Sequence, residues 1–195
     1  MALREEVLQA CFTRNDSGKP LAAGQPANNK LELENIESLS ELRAVVVRKI
    51  GELVMPYDPE FVIGVPYGAI WIADAIAKEY GIEYAPRLKA RGTASGKQMQ
   101  YDNEFVDGEV IVRNLSRGVL VEDVFNHFTN TRRALAVPGL SEKIVGIVGI
   151  WDRGVSHENR ETPTQPYQAL VTEHIDEMLA ETSELWRFAA EASAF

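Results

Sequence analysis

The chain has 195 residues, enough for one domain with a full hydrophobic core, and its apolar and charged fractions of 45% and 25% are those of an ordinary soluble globular protein. A net charge of −9 argues against a general nucleic-acid surface, which needs clustered Lys and Arg, but leaves room for a local cationic pocket. The single cysteine, Cys11, excludes an intramolecular disulfide framework. No apolar run approaches the roughly 20 residues of a membrane span. The charged start Met-Ala-Leu-Arg-Glu-Glu does not read as a secretory signal. The expectation is a soluble, cytoplasmic protein without nucleic-acid or membrane partners.

Residues 1–12 read as a short helix with Leu3, Val7, Leu8 and Cys11 or Phe12 on one side. Residues 13–29, rich in Gly, Pro, Asn and Ala, read as a long loop or loose hairpin, and 30–35 as a half-exposed strand. Leu39, Leu42, Val45, Val46, Ile50, Leu53 and Val54 recur at helical spacing, with Ser38 or Ser40 as cap and Pro56 as stop. An alternation follows: strand 61–65, helix 69–80 ended by Gly81, strand 82–87, strand 118–124, helix 129–137 and strand 143–151. The polar stretch 91–108 reads as a long mobile loop. A strand remnant at Leu170-Val171 precedes a helix over 173–192 with Ile175, Met178, Leu179 and Trp186 inward. Strands separated by helices imply an α/β fold with a central parallel sheet flanked by helices.

Four stretches fall at one edge of such a sheet, where open α/β folds bind ligands. The strand Gly118–Val124 ends in Glu122-Asp123 and is followed by Asn126, Thr129, Asn130 and Thr131 before a helix. Carboxylates there suit sugar hydroxyls, and a helix start suits a phosphate; the alternative is that Asp123 and Asn126 merely cap the helix. This turn has no glycine, and Phe128 stands in its middle. Gly64-Val-Pro-Tyr-Gly-Ala-Ile70 is a strand–helix junction that brings backbone amides towards a ligand, or a purely structural turn. Arg87, Lys89, Arg91 and Lys97 make a cationic stretch in an acidic protein, either a lid for a polyanion or a solvated basic loop. Arg153, in Trp151-Asp-Arg-Gly-Val155, suits a carboxylate held in bidentate fashion, or an ion pair with Asp152. His127, His157 and His174 have no ligand spacing with Cys11, so no structural zinc site is expected.

Val119-Leu-Val-Glu-Asp-Val-Phe, Gly64-Val-Pro-Tyr-Gly-Ala-Ile, Arg87-Leu-Lys-Ala-Arg, Gly149-Ile-Trp-Asp-Arg153 and Tyr167-Gln-Ala-Leu-Val-Thr together resemble the type I phosphoribosyltransferases, and within them most nearly the orotate enzymes. The resemblance implies one domain over 1–195, with 1–38 and 152–172 contributing to a hood over the site. It implies transfer of a phosphoribosyl group from 5-phosphoribosyl 1-pyrophosphate (PRPP) to a base such as orotate, in a homodimer, with Mg²⁺ held mainly through PRPP. It further implies Glu122 and Asp123 on the ribose, and Asn126, His127, Phe128, Thr129, Asn130 and Thr131 around the 5′-phosphate. Val65, Pro66, Tyr67 and Gly68 would meet the pyrophosphate, with Arg87, Lys89, Arg91 and Lys97, of which Lys89 and Arg91 are catalytic, and Arg153 would hold the base. Leu88 stands where the family has a Lys, and Thr93 near its usual His. A regulatory, non-catalytic binder of a nucleotide or sugar phosphate is the rival reading.

Overall fold

Alternation along the strands builds the molecule around two apolar faces. In this computed structural model, which describes residues 2–15, 26–84, 87–93, 96–102, 114–158 and 160–192, five strands form one parallel sheet: β3 (Phe61–Gly64), β4 (Glu83–Tyr84), β7 (Gly118–Phe125), β8 (Ile144–Asp152) and β9 (Tyr167–Thr172). Val62, Val119, Val121, Val148 and Ile150 face one side of it, and Phe61, Ile63, Leu120 and Ile147 the other. Each fully buried aliphatic side chain contributes about 1.5–3 kcal/mol, so neither face can be exposed.

The first face is covered by α1 (Leu3–Cys11), α2 (Ser40–Val54), α3 (Ile70–Tyr80) and α5 (Trp186–Ala192), whose buried residues include Val7, Val46, Ile72 and Trp186. On α2 the inward stripe is Leu42, Val46, Val47, Ile50 and Val54; Val47, not among the residues expected, is buried, while Val45 and Leu53 are half-buried. Leu39 sits at the N-cap and is exposed, and neither serine caps the helix; the Ser38 hydroxyl donates instead to the Asn35 carbonyl (2.9 Å). The second face is covered by α4 (Thr129–Leu135) and by a hairpin of β5 (Leu88–Thr93) and β6 (Gly96–Tyr101), anchored by buried Leu88, Tyr101 and Ala134.

The sheet order is β4-β3-β7-β8-β9. From β3 the chain steps outward to β4, and from β7 it steps the opposite way to β8, so the order reverses between β3 and β7. Such a reversal opens a crevice beyond the carboxyl ends of the two strands.

Four expectations are corrected. The stretch expected as a loop from 91 holds antiparallel strands over 88–93 and 96–101; residues 94–95 and 103–108 lie outside those described. The strand expected over 82–87 is ordered as a pair at Glu83–Tyr84 only, with 85–86 not described. The helix expected over 173–192 is confined to Trp186–Ala192: Ile175 is buried, but Met178 is exposed and the chain before Trp186 is irregular. Between 13 and 29, of which 16–25 are not described, short strands β1 (Phe12–Arg14) and β2 (Asn29–Leu31) pair antiparallel, and Leu33–Ser38 is a 3₁₀ helix rather than a continuing strand.

Candidate functional site

A cleft of about 310 Å³ opens beyond the carboxyl end of β7, lined by Glu122, Asp123, residues 126–131, Arg153 and, from the N-terminal segment, Lys30, Leu31, Glu32 and Glu34. The carboxylates and the 126–131 turn belong together because β7 runs straight into α4. Glu122 is buried and accepts a hydrogen bond from the Thr131 hydroxyl (2.7 Å). Burial first, and the charge of Asp123 second, push the Glu122 carboxyl well above the usual carboxylate range. Asp123 is half-buried, accepts from the Val124 amide (2.8 Å), and is also raised, chiefly by burial. A side chain on Gly68 would come within 2.0 Å of Asp123 Oδ2, so only glycine there lets the β3–α3 turn close on the acidic strand end.

The turn after β7 works without a glycine. Phe128 adopts the left-handed conformation (φ 55°) that glycine usually takes, at the N-cap of α4. Its ring turns away into the core, against Phe125 (centroids 5.1 Å) and Tyr167 (4.9 Å, edge-on), with the Arg160 guanidinium 4.1 Å from its centroid. Arg160 is in turn held by buried Asp152 through Nη1 (3.0 Å) and Nη2 (2.7 Å). Asp152 therefore pairs with Arg160, and the Asp152–Arg153 ion pair does not form. No side chain caps α4: the Asp123 carboxylate serves Val124, and the Asn126 amide donates to Glu177 (3.0 Å). The reading of Asp123 and Asn126 as helix caps is thereby removed.

Arg153 is buried and largely committed. Its Nη2 donates to Asn29 Oδ1 (2.9 Å) and to the carbonyls of Ile175 (3.0 Å) and Asp176 (3.3 Å), and its Nε to Ile175 (3.3 Å). Nη1 takes no part in these bonds, and the residue lines the cleft. Burial lowers its pKa from the ordinary arginine value, against the opposing pull of Glu177 and Asp176.

The cationic stretch stands apart from this cleft, and the β3–α3 turn abuts it only through Gly68 beside Asp123. None of Val65, Pro66, Tyr67, Gly68, Arg87, Lys89, Arg91 and Lys97 lines it. Val65 is buried and Tyr67 well exposed, with a cis peptide between Pro66 and Tyr67. Lys89 is paired with Asp102 (2.8 Å), while Arg87, Arg91 and Lys97 are exposed. Leu88 is a core anchor of the hairpin.

Sequence reasoning missed Lys30, Glu32 and Glu34, and missed Asn29, whose buried amide fixes Arg153. A polar residue in an apparent loop carries no signal of this. It also missed that His127, His157 and His174, the chain's only histidines, pack ring against ring, at 4.2 Å and 5.1 Å between centroids.

Neither a family model nor a curated protein sequence matches the chain. Its fold does match solved structures. UMP synthase of Leishmania donovani superposes with a TM-score of 0.60 at 19% identity, over 98% of this chain and 40% of that one, so the chain spans well under half of that larger protein. Orotate phosphoribosyltransferase of Aeropyrum pernix gives 0.59 at 16% identity, over 88% of this chain and 94% of that one. Adenine phosphoribosyltransferase of Trypanosoma brucei, solved with AMP, pyrophosphate and ribose-5-phosphate, gives 0.60 at 11% identity, over 93% and 85%. The parallel sheet, its order and these superpositions agree: the chain has the type I phosphoribosyltransferase fold.

Proposed function

We propose that the protein transfers the phosphoribosyl group of PRPP to a nucleobase, with orotate as the base and pyrophosphate as the second product. The observation that carries this reading is the Glu122–Asp123 pair at the β7 terminus, in a cleft walled by residues 126–131 on one side and Arg153 on the other. The bond from ribose C1 to the pyrophosphate oxygen breaks as a base nitrogen bonds to C1; the pyrophosphate leaves with the electron pair, and the proton of the base nitrogen passes to solvent.

Asp123, the more exposed carboxylate, receives the ribose hydroxyls, while Glu122 behind it holds Thr131 and the start of α4 in place. Asn126, His127, Thr129, Asn130 and Thr131 surround the 5′-phosphate, and Phe128 contributes backbone only, since its ring is in the core. Arg153 Nη1 and Lys30 supply positive charge for the base carboxylate. Val65, Pro66, Tyr67 and Gly68 offer the pyrophosphate their backbone beside Asp123. Arg87, Lys89, Arg91 and Lys97 reach it by movement of the hairpin, which requires Lys89 to exchange Asp102 for phosphate. Lys89 and Arg91 then stabilise the leaving group, a mainly electrostatic form of catalysis. The hard oxygens of Asp123 fit Mg²⁺, which when bound with PRPP neutralises charge on the departing pyrophosphate. A homodimer in which the hairpin serves the neighbouring subunit belongs to the same reading.

One observation favours a second reading, a binder of nucleotide or sugar phosphate without turnover: the hairpin cations lie outside the cleft while Thr131 is spent on Glu122. Pyrophosphate release from PRPP and Mg²⁺, assayed with orotate and a panel of other bases, separates the two. Turnover is expected with orotate, and Asp123→Asn should lower it roughly 100-fold with an unchanged circular dichroism spectrum. Calorimetric binding of PRPP with no turnover for any base would favour the binder, and neither binding nor turnover would end both readings.

A further inference from the structure

The three segments that follow β7, β8 and β9 each send one side chain to a common point at the carboxyl edge of the sheet. His127 Nε2 and His157 Nε2 both lie 3.2 Å from the same oxygen, Oε1 of Glu177, and the three atoms fall within 4.8 Å of one another. The two imidazoles are stacked at 4.2 Å and 14°, with both Nε2 atoms beside one carboxylate oxygen, and sharing an ion would splay the rings from this stack so that their lone pairs converge. For an ion with tetrahedral bonds of about 2.0–2.1 Å, neighbouring ligand atoms stand about 3.3 Å apart, which is the spacing seen on both histidine–glutamate edges.

We propose that His127, His157 and Glu177 form a binding site for a divalent transition ion of the zinc type. Two imidazoles and a carboxylate are the donor set such ions favour over Mg²⁺ or Ca²⁺, which prefer oxygen alone. The cluster also borders a second cavity of about 400 Å³, lined by these three residues with Pro26, Asp176 and Met178, which gives an ion an entry path and leaves room for water on the remaining coordination positions.

The backbone is built to permit this approach. A side chain on Gly154 would meet the Asn126 carbonyl at 2.2 Å and His157 Cδ2 at 2.8 Å, so glycine is what lets the loop after β8 bring His157 up to the turn after β7. His174 stacks edge-on against His157 but turns its Nε2 to Asp176 (2.8 Å), so it supports the ring rather than joining the donors. The ion would fasten the first residues of the 126–131 turn to the segment after β9. Its presence does not depend on phosphoribosyl transfer.

The competing account is that protons alone join these groups: Asn126 and His127 donate to Glu177, and His157 Nε2 donates to Asn126 Oδ1 at 2.7 Å. Chelator-treated protein titrated with Zn²⁺ by calorimetry, and with Co²⁺ by visible absorption, decides between them. One ion per chain is expected, with the intense bands of four-coordinate cobalt and a rise in melting temperature on adding Zn²⁺. His157→Ala and Glu177→Gln, each checked for folding by circular dichroism, should bind Zn²⁺ at least 10-fold more weakly and lose that rise, while His174→Ala should keep both. No stoichiometric uptake by the wild-type protein, or equal uptake by His157→Ala and Glu177→Gln, would overturn the proposal and leave the proton-linked network.

Discussion

Phe128 looks in the sequence like an obstruction to any phosphate, and the structure removes the conflict through a competition of two terms. Holding a non-glycine residue in the left-handed region costs about 1–2 kcal/mol. Burying a phenylalanine against Phe125, Tyr167 and Arg160 returns about 1.5–3 kcal/mol, so the side chain stabilises the conformation that glycine would otherwise supply. Glu122 is the opposite case, a buried carboxyl whose ionisation the fold disfavours. Its carboxyl and that of Asp123 are both raised by burial, so the folded protein holds proton where the unfolded chain has released it. The folded state therefore binds more protons above the ordinary carboxylate range, and stability falls as pH rises through that range towards the raised values. Glu122→Gln keeps an acceptor for Thr131 and removes the ionisation. It should raise the melting midpoint by about 3 °C at mildly alkaline pH and flatten its decline with pH. Thermal melts across about pH 5 to 8 test this, and a variant that melts below wild type at the alkaline end would refute it.

At the scale of elements, what repeated along the chain was legible and what depended on distant partners was not. The β3–α3 and β7–α4–β8 alternation follows from apolar runs broken by Gly81 and polar turns, and it brought Glu122, Asp123, the 126–131 turn and Arg153 to one edge. The β5–β6 hairpin escaped because its anchors, Leu88 and Tyr101, are isolated apolar residues at its two ends, with mainly polar residues between. The C-terminal segment misled in the other direction. Ile175, Met178 and Leu179 sit at helical spacing, but carbonyls of 175–177 and 179 are taken by Arg153, Asn28 and Asn29, and an α-helix there would need the same groups internally. The hairpin carries its own prediction. If Lys89 and Arg91 serve the pyrophosphate, PRPP with Mg²⁺ must draw β5–β6 onto the cleft. Amide hydrogen exchange over 88–101 should then slow several-fold on adding both, and Lys89→Ala should abolish the slowing. Unchanged exchange in the presence of bound PRPP would leave these cations without a role.

Across the whole molecule, one buried amide joins parts of the chain that are far apart in sequence. Asn29, in β2, donates through Nδ2 to the carbonyls of Asp176 (2.9 Å) and Glu177 (3.0 Å), and accepts at Oδ1 from Arg153 (2.9 Å). Asn28 repeats the link, donating to the Leu179 carbonyl (2.9 Å) and accepting from its amide (3.0 Å). The N-terminal segment, the end of β8 and the chain after β9 are thereby fixed as one wall of the cleft, and Arg153 is aimed by that wall rather than by its own strand alone. Asn29→Asp tests the point more sharply than truncation. A carboxylate would gain a charge contact with Arg153, but a buried ion pair roughly breaks even against its desolvation. It would also set an anionic oxygen against two carbonyls that now receive N–H donors, a loss of about 2–4 kcal/mol. Denaturant unfolding should therefore show Asn29→Asp less stable than wild type by that amount, despite the added attraction. Should it prove as stable as wild type, Arg153 alone would organise the wall, and its orientation would not depend on the N-terminal segment.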